Sequence, residues 1–304
     1  MSVTAPHRLL WDALTLPVPQ AGEAWRRWRA SANLDRLDPA SFSLLPALAG
    51  RLPDWLGTDS QQAILLGICR RAWSQNQVRL KLLADALEIL GAAGIERVAA
   101  TGPVSWGALY WPPNAIRSIG AVDLLVEPAL ARRTFEALTK AGWTAPKGVP
   151  NTAANFYFDP GVPMQSPAGG EVRMHWRALP NTDFALRRPM FPPLQALQRG
   201  QIAPYALPAE YALVAALGGN HEDGVDWHCD ALMICRQAGL DWDTVADLVR
   251  WRSKGREKLD ELRREWGAQI PPAVTKPVWS SGVERSLASA LRVYRRGKAA
   301  LGLA

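Results

Sequence analysis

Between Gly94 and Arg177 the apolar residues of this chain stop recurring at helical spacing and gather instead into short runs set off by breakers. The first run, IERVAAT (95–101), meets Gly102 and the helix-like stretch GPVSWGALYW. Pro112-Pro113-Asn114 then breaks the chain before AVDLLVE (121–127), an apolar run with one carboxylate, Asp123, inside it. Short apolar runs bounded by turn formers predict buried strands. ALARRTFEALTKAGW (129–143) predicts a helix that stops at Gly142, and NFYFD (155–159) and EVRMHW (171–176) predict two further strands with the turn-rich GVPMQSPAGG (161–170) between them. Strand, helix, strand, helix, strand, strand in so short a span is a small α+β core. On the last strand, alternation of side chains puts Glu171, Arg173 and His175 on one face.

Helical periodicity holds on both sides of that core. Residues 1–93 contain AGEAWRRWRAS, DPASFSLLPALAGRL and a long amphipathic run from about Asp59 to Leu90. Asp38-Pro39 and Asp59-Ser60 start helices there, and Gly91 and Gly94 close the third. After Asn181 come LPAEYALVAALGGN, DWHCDALMICRQAG, DWDTVADLVRW, the charged KGREKLDELRREW and a last helix near Val283–Lys298. Asp241 is the expected N-cap of one of these and Gly239 ends the helix before it. The predicted organisation is a helical region over 1–93, an α+β core over 94–180 and a helical region over 181–304.

Composition narrows the function classes. Apolar residues make up 48% and charged residues 21% of 304, which is globular usage and excludes a disordered chain. No run approaches the roughly 18–20 apolar residues of a membrane span, and the first residues lack the pattern of a secretory leader. Cys69, Cys229 and Cys235 form no CxxC pair, so neither a disulfide framework nor a zinc knuckle is expected. A cytoplasmic setting follows as the expectation. The net charge is +7, and from Arg250 onward 13 Lys+Arg face 5 Asp+Glu. REKLDELRREW mixes both signs at helical spacing, the mark of a solvated face rather than a nucleic-acid surface. No nucleic-acid or membrane partner is expected.

The central segment resembles a known family. Thr101-Gly102, Tyr110, Arg117, Gly120, VDLLV at 122–126 and AGW at 141–143 resemble the uncharacterised nucleotidyltransferase family of the polymerase-β type. FSLLPALAGRL resembles that family's N-terminal helical stretch, EVRMHWRAL its strand ending in Asp-x-His-Trp, and LPAEYALVAALGGNH, DWHCDALMI and GLDWDTVADL its C-terminal helices. The likeness runs over roughly residues 40–252. It implies a nucleotidyltransferase fold, ATP or another nucleoside triphosphate as donor, and Mg²⁺ as cofactor. The chemistry fits that pattern: two hard cations clamp the entering and leaving oxygens of the α-phosphate and need carboxylate ligands. An Asp-x-Asp strand presents two carboxylates on one face, and a glycine after the first strand admits the phosphates.

This chain departs from the pattern at the metal. The first carboxylate position is Ala121, the second is Asp123, and the third falls on Arg173, while the Lys before the glycine is Thr101. Gly102, Arg117 and His175 remain. One acidic anchor beside a guanidinium does not gather two divalent ions, because Arg173 repels them and can pair with Asp123. The expectation is a degenerate site that binds a nucleotide, another phosphate-containing small molecule, or a protein or peptide partner. Its residues are Asp123, as catalytic residue and sole metal ligand, with Thr101, Gly102, Arg117, Arg173 and His175 for the nucleotide. Glu171, His221 and Asp230 line the cleft. Two alternatives stay open. One is an active enzyme that transfers a nucleotidyl group to a small molecule, peptide or protein, with Glu171 as a displaced ligand. The other is an interaction module docking through basic C-terminal helices near Arg292, Arg295 and Arg296.

Other candidates yield to plainer readings. His221, Asp226, His228, Cys229 and Asp230 are dense but lack zinc spacing. His228 and Cys229, adjacent on a helix, diverge by about 100° and form no dyad. Trp25, Arg26, Arg27, Trp28 and Arg29 offer a basic aromatic stripe, better read as arginine stems over core tryptophans.

Overall fold

The computed structural model describes residues 5–56, 60–146, 161–179, 191–197, 202–218, 225–250 and 253–275. Within them the short apolar runs form one mixed sheet of strands β1 (Val98–Thr101), β2 (Val122–Val126), β3 (Gly161–Gln165), β4 (Glu171–His175), β5 (Gln195–Ala196) and β6 (Tyr205–Ala206), in the order β3-β4-β2-β1-β6-β5. β2 runs antiparallel to β1 and parallel to β4. β3 closes on β4 as an antiparallel hairpin, and β6 joins β1 in parallel.

Period-two alternation sorts the sheet into an apolar face and a chemical one. Val98, Ala100, Val122, Leu124, Val172 and Met174 bury one face against helices α5 (Gln62–Ala92) and α7 (Ala131–Lys140), with Leu83, Leu90 and Leu138 opposite. The other face carries Thr101, Asp123 and Arg173 in register.

Helices α1 (Ala5–Thr15), α2 (Val18–Ser31), α3 (Pro39–Leu44) and α4 (Leu52–Leu56) precede α5, and α6 (Gly102–Leu109) links β1 to β2. The chain ends, within the described residues, in α8 (Ala209–Gly218), α9 (Trp227–Cys235), α10 (Trp242–Val249), α11 (Ser253–Trp266) and α12 (Pro272–Thr275). A second core joins the two helical regions: Leu10, Trp28 and Leu44 pack in one cluster with Leu213, Cys229, Val245 and Leu262. α5 spans both cores. Its 31 residues extend about 46 Å at 1.5 Å per residue, and its inward stripe passes from Leu65 and Cys69 in the helical core to Leu83 and Leu90 beneath the sheet.

The α+β expectation holds, and the long helix and the Asp38 and Asp241 N-caps fall where the sequence puts them. The helix expected to end at Gly239 stops earlier, at Cys235, and Gly239 takes its positive φ in the turn that follows. Trp25 and Trp28 are core residues, stacked with ring centroids 5.2 Å apart. One element differs from expectation: GVPMQ is not a turn but strand β3. Its Gly161 and Pro163 look like breakers, yet β3 is an edge strand, where a missing N–H is tolerated. The turn is confined to the Pro167–Gly170 end, with Gly169 and Gly170 at positive φ. β5 and β6 have two residues each and show no period to detect. The expected strand at 155–159 and the expected helix near 283–298 lie outside the described residues. Among those described, no helix is long and apolar enough to cross a membrane.

Candidate functional site

Strand register assembles the site around Asp123. β1 places Thr101 beside it on one side and β4 places Arg173 on the other, so the three side chains share one face. His175, two positions along β4, turns back so that Nε2 donates to Asp123 Oδ1 at 2.8 Å. The imidazole has room because Gly161 lies across from it on β3: a Cβ there would stand 2.7 Å from His175 Nδ1 and 2.5 Å from the Met174 carbonyl oxygen.

The second oxygen of Asp123 faces the glycine that follows β1. Gly102 has φ +65°, and a Cβ on it would lie 2.8 Å from Asp123 Oδ2. Gly102 also opens α6, so the carboxylate sits at a helix N-terminus, where the backbone N–H groups favour negative charge. Gly102→Ala is therefore expected to destabilise the protein by at least the ~1–2 kcal/mol of a left-handed residue, with the carboxylate contact adding to it. The urea-denaturation midpoint measures this, and an unchanged midpoint contradicts the geometry.

Around this anchor the donors do not fit a pair of divalent ions. Ala121 supplies no side-chain oxygen, Arg173 brings positive charge, and Asp123 Oδ1 already accepts from an imidazole. Glu171, the candidate for a displaced ligand, has both oxygens engaged: Oε1 faces Arg173 Nε at 3.4 Å and Oε2 accepts from Gln165 Nε2 at 2.8 Å. The expected Arg173–Asp123 pairing thus gives way to Arg173 with Glu171 and His175 with Asp123. The reason is i,i+2 placement on β4, which sets Glu171, Arg173 and His175 side by side on one face. Among the described residues, no group of three or more His, Cys, Asp and Glu is disposed to hold a metal ion.

A cleft of about 560 Å³ opens beside these residues. Its walls include Arg79 and Lys81 of α5, Ala121, Gly170 of the hairpin turn, and Glu171 and Arg173 of β4. Arg79 is braced by donating to the Gly120 carbonyl at 3.2 Å, and Lys81 pairs with Asp85. The cleft contains the two positions at which the resemblance calls for carboxylates and this chain has none. The α5 contributors were missed from sequence, because polar residues on an amphipathic helix look alike whether they face a cavity or bulk water.

Arg117 and Asp230 are brought together, but away from the cleft. Their side chains are 1% and 0% exposed, with Arg117 Nε donating to Asp230 Oδ1 at 3.0 Å and Nη2 to Oδ2. Trp111 Nε1 donates to the same carboxylate at 2.9 Å, and Asn76 holds the Arg117 carbonyl at 2.8 Å. The pair ties the β1–β2 connection to α9. His221, the other expected cleft residue, lies outside the described residues.

The cluster near His228 is also structural. His228 is buried between Asp226, bonded at Nδ1, and Glu261, bonded at Nε2 at 2.7 Å, and it stacks on Trp227. Burial alone would raise the Asp226 carboxyl, but the hydrogen bond and charge of His228 bring it below the usual range. Cys229 turns instead to His7, Sγ to Nε2 at 3.7 Å, and burial holds His7 below the ordinary histidine value. Cys229 and His228 accordingly form no dyad.

The comparisons with known proteins agree with the central segment. A family model described as uncharacterised nucleotidyltransferase matches residues 35–254. No curated protein matches, and no solved structure matches.

Proposed function

Because the chain belongs to the uncharacterised nucleotidyltransferase family, we propose that it retains the phosphate-binding part of that chemistry and has lost the metal-dependent transfer. On this reading it binds a nucleotide, or another phosphate-bearing small molecule, without a divalent ion, in the cleft between α5 and β4. The observation that carries the reading is Arg173, in register with Asp123 on the neighbouring strand and itself in the wall of that cleft. A guanidinium stands where the resemblance calls for a metal-holding carboxylate. The planar fork supplies to phosphate oxygens the positive charge that a bound ion would otherwise bring. Arg79 and Lys81 add cations on the facing wall. Asp123, bonded to His175 and set against Gly102, then acts as a structural anchor for the first strand-to-helix turn.

Calorimetric titration with ATP, with and without Mg²⁺, tests this. The expected result is binding in both conditions at similar affinity, weakened roughly 10- to 150-fold by Arg173→Glu, as suits loss of hydrogen bonds to a charged group of about 1.5–3 kcal/mol. Absence of heat in both conditions rejects the reading. Pyrophosphate release from labelled ATP with Mg²⁺ or Mn²⁺, abolished by Asp123→Ala, rejects it in favour of an active enzyme with an atypical metal site.

A further inference from the structure

We infer that a second pocket, which shares Arg79 with the cleft, is a separate site for a small organic phosphate monoester. The site goes beyond the functional reading and does not depend on it, because Arg71, which defines it, takes no part in the cleft. The pocket has a volume of about 290 Å³, at the lower end of the roughly 300–1,000 Å³ of small-molecule sites. It lies between α5, the end of α3 with Pro46, and the segment 118–120 that leads into β2. Bonds within the chain hold these walls in place. Asn76 of α5 is buried and grips the third wall twice, donating to the Arg117 carbonyl at 2.8 Å and accepting from the Ile119 N–H at 2.9 Å. Arg79 Nε donates to the Gly120 carbonyl at 3.2 Å, and Ser118 Oγ reaches to 3.4 Å from the Ser43 carbonyl oxygen.

The charge of this lining is one-sided. Arg71 and Arg79 both border the pocket and none of its lining residues is a carboxylate, whereas the cleft sets Asp85 and Glu171 among its cations. Arg71, Gln75 and Arg79 follow one another at four-residue spacing on one stripe of α5. Arg79 bends back one turn, Nη1 donating to the Gln75 carbonyl at 3.3 Å, so its guanidinium stands beside Gln75 in the middle of the stripe. Arg71, one turn beyond Gln75, is exposed and makes no ion pair among the described residues. Two guanidiniums bordering one small cavity repel each other, and an oxyanion between them turns that repulsion into charge-assisted hydrogen bonding. A phosphate monoester carries a charge of about −1.5 to −2 at pH 7, which matches the pair, while a carboxylate supplies a single charge. The rest of the lining includes Phe42, Pro46, Ile68 and Ile119. That apolar surface suits the carbon body of an ester and has no use for free phosphate.

Calorimetric titration of the full chain with phenyl phosphate and with inorganic phosphate, at neutral pH and low salt, tests the site. Both probes are also titrated into Arg173→Glu, which alters the cleft and leaves the second pocket intact. The expected result is phenyl phosphate binding that survives Arg173→Glu and exceeds that of inorganic phosphate by roughly tenfold, as burial of a ring implies. Adding Arg71→Gln is expected to weaken phenyl phosphate by at least about tenfold, the loss of a hydrogen bond to a charged group. Arg70→Gln, at an exposed neighbour outside the pocket, is expected to change nothing. Circular dichroism checks that each variant is folded. Phenyl phosphate binding that is lost in Arg173→Glu, or is indifferent to Arg71→Gln, overturns the second site. A loss in Arg70→Gln equal to that in Arg71→Gln overturns it as well, since diffuse surface charge then accounts for the binding. Inorganic phosphate bound as tightly as phenyl phosphate overturns the organic ligand. None of these outcomes touches the binding of ATP in the cleft, which is read through Arg173→Glu alone.

Discussion

Arg117→Ala is expected to lower stability by about 3–5 kcal/mol in urea denaturation, the loss typical of breaking a buried ion pair from one side. The guanidinium and the Asp230 carboxylate are almost fully excluded from water. Removing the arginine leaves a buried carboxylate deprived of its countercharge and of two hydrogen bonds. It also strips away the Arg117 Cγ and Cδ that cover Gly107, which stand 3.9 and 3.5 Å from where a Cβ on that glycine would lie. Asp230→Ala is expected to be similarly severe, and the double variant to fall well short of the sum, since the second change removes a charge already orphaned. The same experiment separates two roles. An Arg117→Ala protein that keeps its stability but binds ATP more than tenfold less tightly would restore Arg117 to the nucleotide site that the resemblance implies.

That case shows where sequence reasoning reached and where it stopped. VDLLV and EVRMH announce their strands because apolar residues alternate or run together at the right length, and the register of Asp123 with Arg173 follows once the strands are laid in the family's order. The bond from His175 to Asp123 was hidden, because it depends on β3. That strand was disguised by Gly161 and Pro163, and Gly161 is the residue whose bareness makes room for the imidazole. Arg117 carries a family motif position, and a motif says nothing about a partner 113 residues away. The α5 wall of the cleft was illegible for a different reason: Arg79 and Lys81 lie on a helix whose amphipathic pattern is complete without a cavity beside it.

Ala121→Asp combined with Arg173→Asp is expected to give the protein a divalent-ion site that the parent lacks. Adjacent strands lie about 4.8 Å apart, so a carboxylate at position 173 stands beside Asp123 close enough for both to reach one cation. Ala121 lies on the same face one alternation earlier, and its replacement brings a third oxygen donor from the cleft wall. The double change moves the local charge by about three units toward negative, one from the carboxylate introduced at position 121 and two from exchanging a guanidinium for a carboxylate. Without metal the like charges repel, and the variant is expected to be less stable than the parent. With about 10 mM Mn²⁺ and a dissociation constant in the roughly 10⁻⁴–10⁻³ M range of weakly charged oxygen sites, binding returns about 1.4–2.7 kcal/mol. The readouts are loss of the free-Mn²⁺ resonance signal on titration and a Mn²⁺-dependent rise in the denaturation midpoint. The parent is expected to show neither. Mn²⁺ binding by the parent would mean that Asp123, despite His175, gathers ions with the donors it has, and the case for lost metal chemistry would fail at its foundation.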